Sequence, residues 1–276
     1  MQNKITAQDL WDDVIEVRSR APLVHSITNF VVMNFNANVL LALGASPIMA
    51  HAHEEVEEMI GIAQALVLNI GTLEPVWIDS MILAKKRATE KGIPIILDPV
   101  GAGATSYRDE SIVKLLAKKP PQIVRGNASE IMSVAGQPVD SKGADSTALS
   151  ADAIEAAFKL ARHIQGVVCV SGETDHIVNA QGKHVSLSNG HPLMTKVTGV
   201  GCSATAMIGA FAAIQPDQFR ATAACMAYLG IAGEIAAQQT LEKGAGSGTF
   251  QIELLDAINL MSKEQFLSLL KMKLIA

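Results

Sequence analysis

Short apolar runs alternate with longer helical patterns along most of this chain, and this alternation restricts the possible fold more than any other feature. The apolar runs are Leu23–Ile27, Ser46–Ala50, Ala65–Ile70, Pro94–Leu97, Gln122–Val124 and Val167–Val170. Strands that are buried on both faces of a parallel sheet have this near-continuous apolar character. The alternation therefore predicts an α/β fold with a mostly parallel central sheet flanked by helices on both faces.

The segments between the runs show the 3.6-residue apolar periodicity of helices. They are Phe30–Leu43, Glu54–Ile62, Val76–Glu90, Asp109–Ala117 and Ala151–His163. In the first of them, Asn29 stands at the expected N-cap and Gly44 at the expected C-terminal glycine.

The pattern changes after Val170. Asp175–Asn179 and Lys183–Leu187 read as a β-hairpin, and residues 244–249 (Gly-Ala-Gly-Ser-Gly-Thr) read as a loop. Four further helices are predicted at Cys202–Ile214, Gln218–Thr240, Phe250–Met261 and Lys263–Leu274. Because no linker, repeat or low-complexity tract divides the chain, residues 1–276 are predicted to form a single domain.

Composition excludes several classes of protein. Hydrophobic residues make up 49% of the 276 residues, so a large core can be buried, and the net charge of −5 comes without a basic stripe. Nucleic acid is therefore not an expected partner. Apolar stretches fall short of the ~20 residues that cross a bilayer, and the N-terminus lacks an apolar signal core, so no membrane association is expected. Three cysteines without a CxxC pair indicate neither disulfides nor zinc, which favours the cytoplasm.

The most informative motif is the run Val197-Thr-Gly-Val-Gly-Cys-Ser, in which two glycines lead into a long helix. Unpaired N–H groups and the helix dipole make such a start an anion site. A tight turn before a core helix would have the same pattern. Cys202 in the first turn is expected to have a lowered pKa, whereas Cys169 and Cys225 read as small buried hydrophobes.

The run from Thr198 to Cys202 resembles the anion-hole motif of the ribokinase-like superfamily, which usually carries Asp after the last glycine. Cys in that place resembles the hydroxyethylthiazole kinase family. The resemblance covers nearly the whole chain and implies a ribokinase-like fold. It also implies catalytic roles for Gly199, Gly201 and Cys202.

Two further segments agree with this family. Asp98 ends a predicted strand in the run Leu-Asp-Pro-Val-Gly-Ala-Gly, and Glu130 belongs to the run Arg-Gly-Asn-Ala-Ser-Glu, which resembles the family's NxxE element. The resemblance implies that Asp98 and Glu130 arrange Mg²⁺ and that Arg125, Asn127 and Ser171 bind ATP. A plain Asp-Pro turn and a helix capping box remain alternative interpretations of these two segments.

The segment from His25 to Asn29, together with Met49, resembles the part of the family that contacts the thiazole alcohol. With Gly199, these residues are the expected substrate site, and Met49 would line an apolar pocket around the ring. His25 could equally be a satisfied core histidine, and Asn29 a cap. The loop at residues 244–249 resembles the family's glycine-serine loop, although relatives have a shorter spacing before Phe250.

The resemblance implies ATP-dependent phosphorylation of the primary alcohol of 4-methyl-5-(2-hydroxyethyl)thiazole in thiamin salvage. It also implies a homotrimer with sites at subunit interfaces. The alternatives are a nucleotide-dependent NAD(P)H-hydrate dehydratase, another vitamin kinase acting on hydroxymethylpyrimidine or pyridoxal, and a regulator that binds nucleotide without catalysis. A dinucleotide-binding oxidoreductase is disfavoured because no GxGxxG follows the first strand.

Overall fold

The computed structural model describes residues 5–137 and 146–276. The expectation of no apolar signal core at the N-terminus falls partly on residues 1–4, which lie outside the described residues. Within them the helices are α1 (Ala7–Arg20), α2 (Met33–Leu43), α3 (Val56–Ile62), α4 (Pro75–Lys91), α5 (Ser106–Leu116), α6 (Ala128–Val134), α7 (Ser146–Ile164), α8 (Val200–Ile214), α9 (Gln218–Glu242), α10 (Ser247–Leu260) and α11 (Lys263–Leu269).

The strands form one sheet in the order β2-β1-β3-β4-β5-β6-β7-β8-β9. They are β1 (Leu23–Ile27), β2 (Ser46–Ile48), β3 (Ala65–Asn69), β4 (Ile95–Asp98), β5 (Ile123–Asn127), β6 (Val167–Ser171), β7 (Asp175–Asn179), β8 (His184–Leu187) and β9 (Met272–Leu274). The first six strands are parallel and the last three join antiparallel. The predicted mostly parallel sheet is confirmed, as is the hairpin of β7 and β8.

Each face of the sheet is buried by its own group of helices. One apolar core lies on the face of the sheet that we call the α8 face. It is formed by side chains of α1, α2, α8, α9, α10 and α11. Side chains of α3 to α7 form a second core on the opposite face. Alternation along a strand decides which core a residue joins: Val24 and Val67 face α8, whereas Ile27 and Leu68 face the other way.

Several predicted boundaries are wrong. Helix α1 was not predicted, although Thr6 and Asp9 form a capping box at its start. Helix α2 begins at Met33 with Val32 as its N-cap, so Asn29 is not the cap, whereas Gly44 ends the helix as expected. The predicted loop at residues 244–249 ends early, because α10 begins at Ser247.

The C-terminal segment also differs from the prediction. A helix was expected over Lys263–Leu274, but α11 ends at Leu269 and the chain continues as strand β9. This strand pairs antiparallel with β8, with Met272 opposite Leu187. As a strand, its backbone forms hydrogen bonds with β8, which an extension of α11 could not form. No helix in the described part of the chain is both long and apolar enough to cross a membrane.

Candidate active site

Polar side chains gather where the parallel strands end. Asn69 closes β3 directly opposite Asp98, which closes β4, and Asn127 closes β5 opposite Ser171, which closes β6. Carboxyl ends of parallel strands meet at one edge of a sheet, and ligands bind in the crevice outside that edge. The predicted metal and nucleotide residues are therefore brought to a common edge.

The start of α8 lies over this edge and has the backbone expected of an anion site. Gly199 is the N-cap with φ 97°, and an added Cβ there would lie 2.9 Å from Val32 Cγ1. The first bond of the helix joins Ser203 N–H to the Gly199 carbonyl at 2.8 Å. Among the described residues, no acceptor takes the N–H groups of Val200, Gly201 and Cys202. Three donors and the positive end of a helix dipole are thus free for an anion.

Arg125 lies against this helix start. An added Cβ on Gly201 would be 3.1 Å from one Arg125 terminal nitrogen, so the glycine leaves room for the guanidinium. Arg125 Nε is buried and has no hydrogen-bond partner in the described residues. Burial opposes its charge, but nearby Asp98 raises the pKa, so Arg125 stays cationic. A cation with an unused donor beside free N–H groups suits a phosphate.

Asp98 is the most buried acid at the site, with 1% of its surface exposed. Its Oδ2 accepts hydrogen bonds from Asn69 Nδ2 at 2.9 Å and Thr205 Oγ1 at 2.8 Å. Burial raises its pKa to about 6, and the charge of Arg125 limits that rise. Asp98 is therefore mostly ionised at neutral pH, as a cation ligand must be.

Cys202 occupies the first turn of α8, as predicted, but its expected acidity is wrong. Burial raises the pKa of the Cys202 thiol, and the negative charge of Asp98 raises it further. Hydrogen bonds from Asn69 and Asn29 act in the opposite direction and do not cancel the rise. The thiol is therefore protonated at neutral pH, because burial and a neighbouring carboxylate outweigh the helix dipole.

Asn29 is a central residue of the site rather than a helix cap. Its Oδ1 accepts the Val31 N–H at 3.1 Å. Its Nδ2 donates to Asn69 Oδ1 at 2.8 Å and lies 3.6 Å from Cys202 Sγ. The predicted substrate residue Asn29 and the predicted catalytic Cys202 are thus in contact, although 173 positions separate them.

Glu130 and Asn127 form the capping box that was the alternative interpretation of the NxxE element. Glu130 Oε2 accepts the Asn127 N–H at 2.8 Å, and Oε1 accepts the Gly101 N–H at 2.9 Å. The carboxylate therefore joins the loop after β4 to the start of α6. Each oxygen keeps a lone pair, so capping and a role at a cation are compatible.

The other predicted site residues have different surroundings. Ser171 Oγ donates to the Gly126 carbonyl at 3.3 Å, and Met49 is half-buried beside the core of the α8 face. His25 is fully buried, and its Nε2 is 2.6 Å from the Ala50 carbonyl. Strand alternation places it with Ile27 on the face away from α8. Burial lowers its pKa, so it is a neutral histidine that donates to Ala50.

Sequence reasoning missed four polar residues at this edge. Asn69 and Thr205 hold Asp98, and Asp175 accepts the Gly172 N–H at 3.0 Å beside Arg125. Burial raises the pKa of Asp175 to about 6. Arg108 donates to the carbonyls of Ile70 and Val100, and so ties the loops after β3 and β4 together. The only feature of the sequence that could have indicated Asn69 is that it is a polar residue at the end of an apolar run.

Several proteins similar to this chain are hydroxyethylthiazole kinases. A model of the hydroxyethylthiazole kinase family matches residues 14–264. A hydroxyethylthiazole kinase of Leptothrix cholodnii is 62% identical over 268 residues, covering 97% of this chain and 96% of the relative. A solved hydroxyethylthiazole kinase protein of Pyrococcus horikoshii OT3 is 37% identical with a TM-score of 0.87, covering 98% of this chain and all of that one.

A more distant structure supports the fold alone. A pyridoxal kinase of Staphylococcus aureus is 15% identical with a TM-score of 0.61, and the match covers 77% of this chain and 88% of that one. Together with the thiazole kinase structure, it confirms the predicted ribokinase-like arrangement of sheet and helices.

Proposed function

This chain belongs to the hydroxyethylthiazole kinase family, and we propose that it transfers the γ-phosphoryl group of ATP to the primary alcohol of 4-methyl-5-(2-hydroxyethyl)thiazole. The observation that carries the proposal is the start of α8, where three free N–H groups lie beside Arg125 and lead into Cys202. The dehydratase and the other vitamin kinases are not favoured, because the similarity to named thiazole kinases extends over almost the full chain.

The nucleotide is assigned to the side of the site formed by β5 and β6. Arg125 would pair with phosphate oxygens, while Asn127 and Ser171 stand at the neighbouring strand ends. The N–H groups of α8 would donate hydrogen bonds to the transferring phosphoryl group, whose charge spreads over its equatorial oxygens in the transition state. Both interactions place positive charge where negative charge develops.

Asp98 and Glu130 fit a role at Mg²⁺. Across the described ranges, no three acidic, His or Cys side chains form a metal cluster. Mg²⁺ with ATP usually needs only one or two carboxylates, with phosphates and waters completing its shell. When bound, it supplies positive charge to the phosphates. In this chain Asp98 and Glu130 would hold the cation, and Thr205 and Asn69 would hold Asp98 in place.

The alcohol is assigned to the space beside Asn29, Met49 and Gly199. We propose that Asn29 Nδ2 holds the protonated Cys202 thiol and that this thiol orients the hydroxyl toward the γ-phosphorus. The oxygen–phosphorus bond forms as the bond to the β-phosphate oxygen breaks, and the hydroxyl proton passes late to an oxygen of the transferred phosphoryl group. His25 would act through the Ala50 carbonyl that it holds, next to Met49.

Wider properties follow as part of the same proposal. The continuous nine-stranded sheet supports one domain over residues 1–276. Phe30 and Val31 are 55% and 69% exposed beside Asn29, and Val76 is 60% exposed at the same sheet edge. Large apolar side chains next to the site support a subunit interface there, and the family resemblance makes the proposed assembly a homotrimer. Three free cysteines support a cytoplasmic location.

A panel of alcohols tests the proposed reaction. We expect the thiazole alcohol to give by far the highest kcat/KM for ATP consumption, above hydroxymethylpyrimidine, pyridoxal and ribose. The reason is that the segment from His25 to Asn29, Met49 and Cys202 together resemble the thiazole kinase family. ADP release is measured with each alcohol and without any. A preference for pyridoxal or hydroxymethylpyrimidine would overturn the assignment and leave the fold standing.

Substitution of Cys202 tests its role as a positioning group. We expect Cys202→Asp to remain active, because phosphoryl transfer needs no enzyme-bound intermediate and the backbone donors do not depend on this side chain. Cys202→Ser should fall well below wild type. Steady-state rates decide this, with Cys225→Ser as the control, since Cys225 is buried in the core of the α8 face. A folded but inactive Asp variant would refute the positioning role.

A further inference from the structure

Asn69 is the hub of the polar contacts beneath the site. It ends β3 with 1% of its surface exposed. Its Oδ1 accepts Asn29 Nδ2 at 2.8 Å and the Gly71 N–H at 2.9 Å. Its Nδ2 donates to Asp98 Oδ2 at 2.9 Å, and the same amide acts to lower the pKa of the Cys202 thiol. One buried amide therefore touches the proposed cation side and the proposed alcohol side of the site.

The orientation of this amide is determined by its neighbours. A flipped Asn69 would place its NH₂ group against two donors and its oxygen against a carboxylate, leaving buried groups without partners. The fixed Oδ1 in turn decides how Asn29 lies, because Asn29 Oδ1 is already held by the Val31 N–H. Asn29 Nδ2 is thus directed at Asn69 and Cys202 together.

Close packing leaves Asn29 no alternative position on this side. An added Cβ on Gly71 would lie 2.5 Å from Asn29 Nδ2, so the backbone after β3 presses directly on the Asn29 amide. The same Gly71 donates its N–H to Asn69. The end of β3, the turn at Gly71 and the Asn69 amide together therefore hold Asn29 in one position.

We propose that Asn69 is a positioning residue of the phosphoryl transfer: it orients Asn29, and through Asn29 the alcohol-binding side at Cys202, relative to Asp98. This inference rests on the proposed function. Asp98 keeps its bond from Thr205 when Asn69 is lost. The proposal therefore assigns the main effect of Asn69 to the alcohol rather than to ATP.

The main test is Asn69→Leu, which keeps the branched shape and removes every hydrogen bond. We expect kcat/KM for the thiazole alcohol to fall about 30-fold, with the KM for ATP within about twofold of wild type. The Kd of the thiazole alcohol, measured by calorimetry without ATP or Mg²⁺, should rise about tenfold. Equal losses for ATP and alcohol, or an unchanged Kd, would overturn the proposal.

Asn179→Leu is the matched control. Asn179 is also buried, and its Oδ1 accepts the N–H groups of Gln181 at 3.1 Å and Lys183 at 2.9 Å. It lies opposite Val167, the first residue of β6, and so at the far end of the sheet. We expect this variant to lose thermal stability with kcat and both KM values unchanged. Equal kinetic losses in the two variants would show that the loss in Asn69→Leu comes from general destabilisation, and would overturn the proposal.

A double-mutant cycle tests whether Asn69 acts through Asn29. If it does, Asn29→Leu combined with Asn69→Leu loses no more alcohol kcat/KM than the worse single variant. Multiplying losses would overturn the proposal. Should Asn69→Leu fail to fold, Asn69→Ala replaces it in the same measurements, because it also removes the hydrogen bonds to Asn29, Gly71 and Asp98. We expect its Kd for the alcohol to rise about tenfold, and a Kd within about threefold of wild type would overturn the proposal.

These outcomes are separate from the proposed function. A wild-type chain without activity on the thiazole alcohol would refute the proposed reaction. An active wild type with an unaffected Asn69→Leu variant would refute only the role of Asn69.

Discussion

Replacing Asp98 by asparagine is expected to lower kcat by about 100-fold or more while the chain remains folded. The substitution keeps the shape of the side chain and removes the negative charge at the end of β4. That charge is the one proposed to hold the cation, and Glu130 alone would hold it less well. Steady-state rates at saturating Mg²⁺ and ATP measure the loss, with circular dichroism to verify the fold.

Asp13→Asn provides a matched control for Asp98→Asn. Asp13 is another buried carboxylate, bound by Arg220 Nε at 2.8 Å and by Gln215 Nε2 at 2.9 Å, on the α8 face between α1 and α9. Its neutralisation should cost about 2 kcal/mol of unfolding free energy and leave kcat unchanged. If Asp98→Asn kept kcat within about threefold of wild type, the proposed cation role would be wrong.

Replacing Arg125 by alanine should reduce kcat/KM for ATP by about 100-fold or more, since two charge-assisted hydrogen bonds of about 1.5–3 kcal/mol each would be lost. Arg125→Lys should recover only part of this, because a point charge does not reproduce the planar guanidinium packed against Gly201. Initial rates at varied ATP give the effect, and calorimetry of ATP binding gives it independently of turnover.

Arg18→Lys is the control for Arg125. Arg18 is also partly buried, and it donates to the Tyr228 hydroxyl at 2.8 Å and to the Asn259 carbonyl at 3.0 Å, at the end of α1. We expect a loss of stability without a change in ATP kinetics. An Arg125→Ala variant whose ATP kcat/KM stayed within threefold of wild type would remove Arg125 from the phosphate site.

The sheet could be predicted from sequence because strand burial is a local property. The continuous apolar runs marked all six parallel strands, and Asp98 was placed correctly at the end of β4. Helix α1 could also have been found, since Leu10, Trp11, Val14 and Val17 repeat at helical spacing. Strand β9 could not, because its three residues gain their conformation from pairing with distant β8.

The site was harder to predict because its chemistry depends on neighbours that are distant in the chain. The helix-start argument placed Cys202 correctly and gave the wrong direction for its pKa, since burial and Asp98 were not visible. Asn69 belongs to no motif, and its importance follows from register, which sets it opposite Asp98. His25 was assigned to the substrate site because its segment resembles that of the family. Strand alternation, which the resemblance does not show, places its side chain on the face away from α8.

The helices that cover the two faces of the sheet are synthesised at different times. Helices α3 to α7 alternate with the strands, so the face that they cover closes as the chain grows. The α8 face receives α8, α9 and α10 only after residue 200, when eight of the nine strands have been made. A nascent chain that ends at the hairpin therefore exposes a broad apolar surface, a state prone to association and suited to chaperone binding. The start of α8, with Gly199 and Cys202, docks in that last step, so we expect catalytic competence to be the final property that the folding chain acquires.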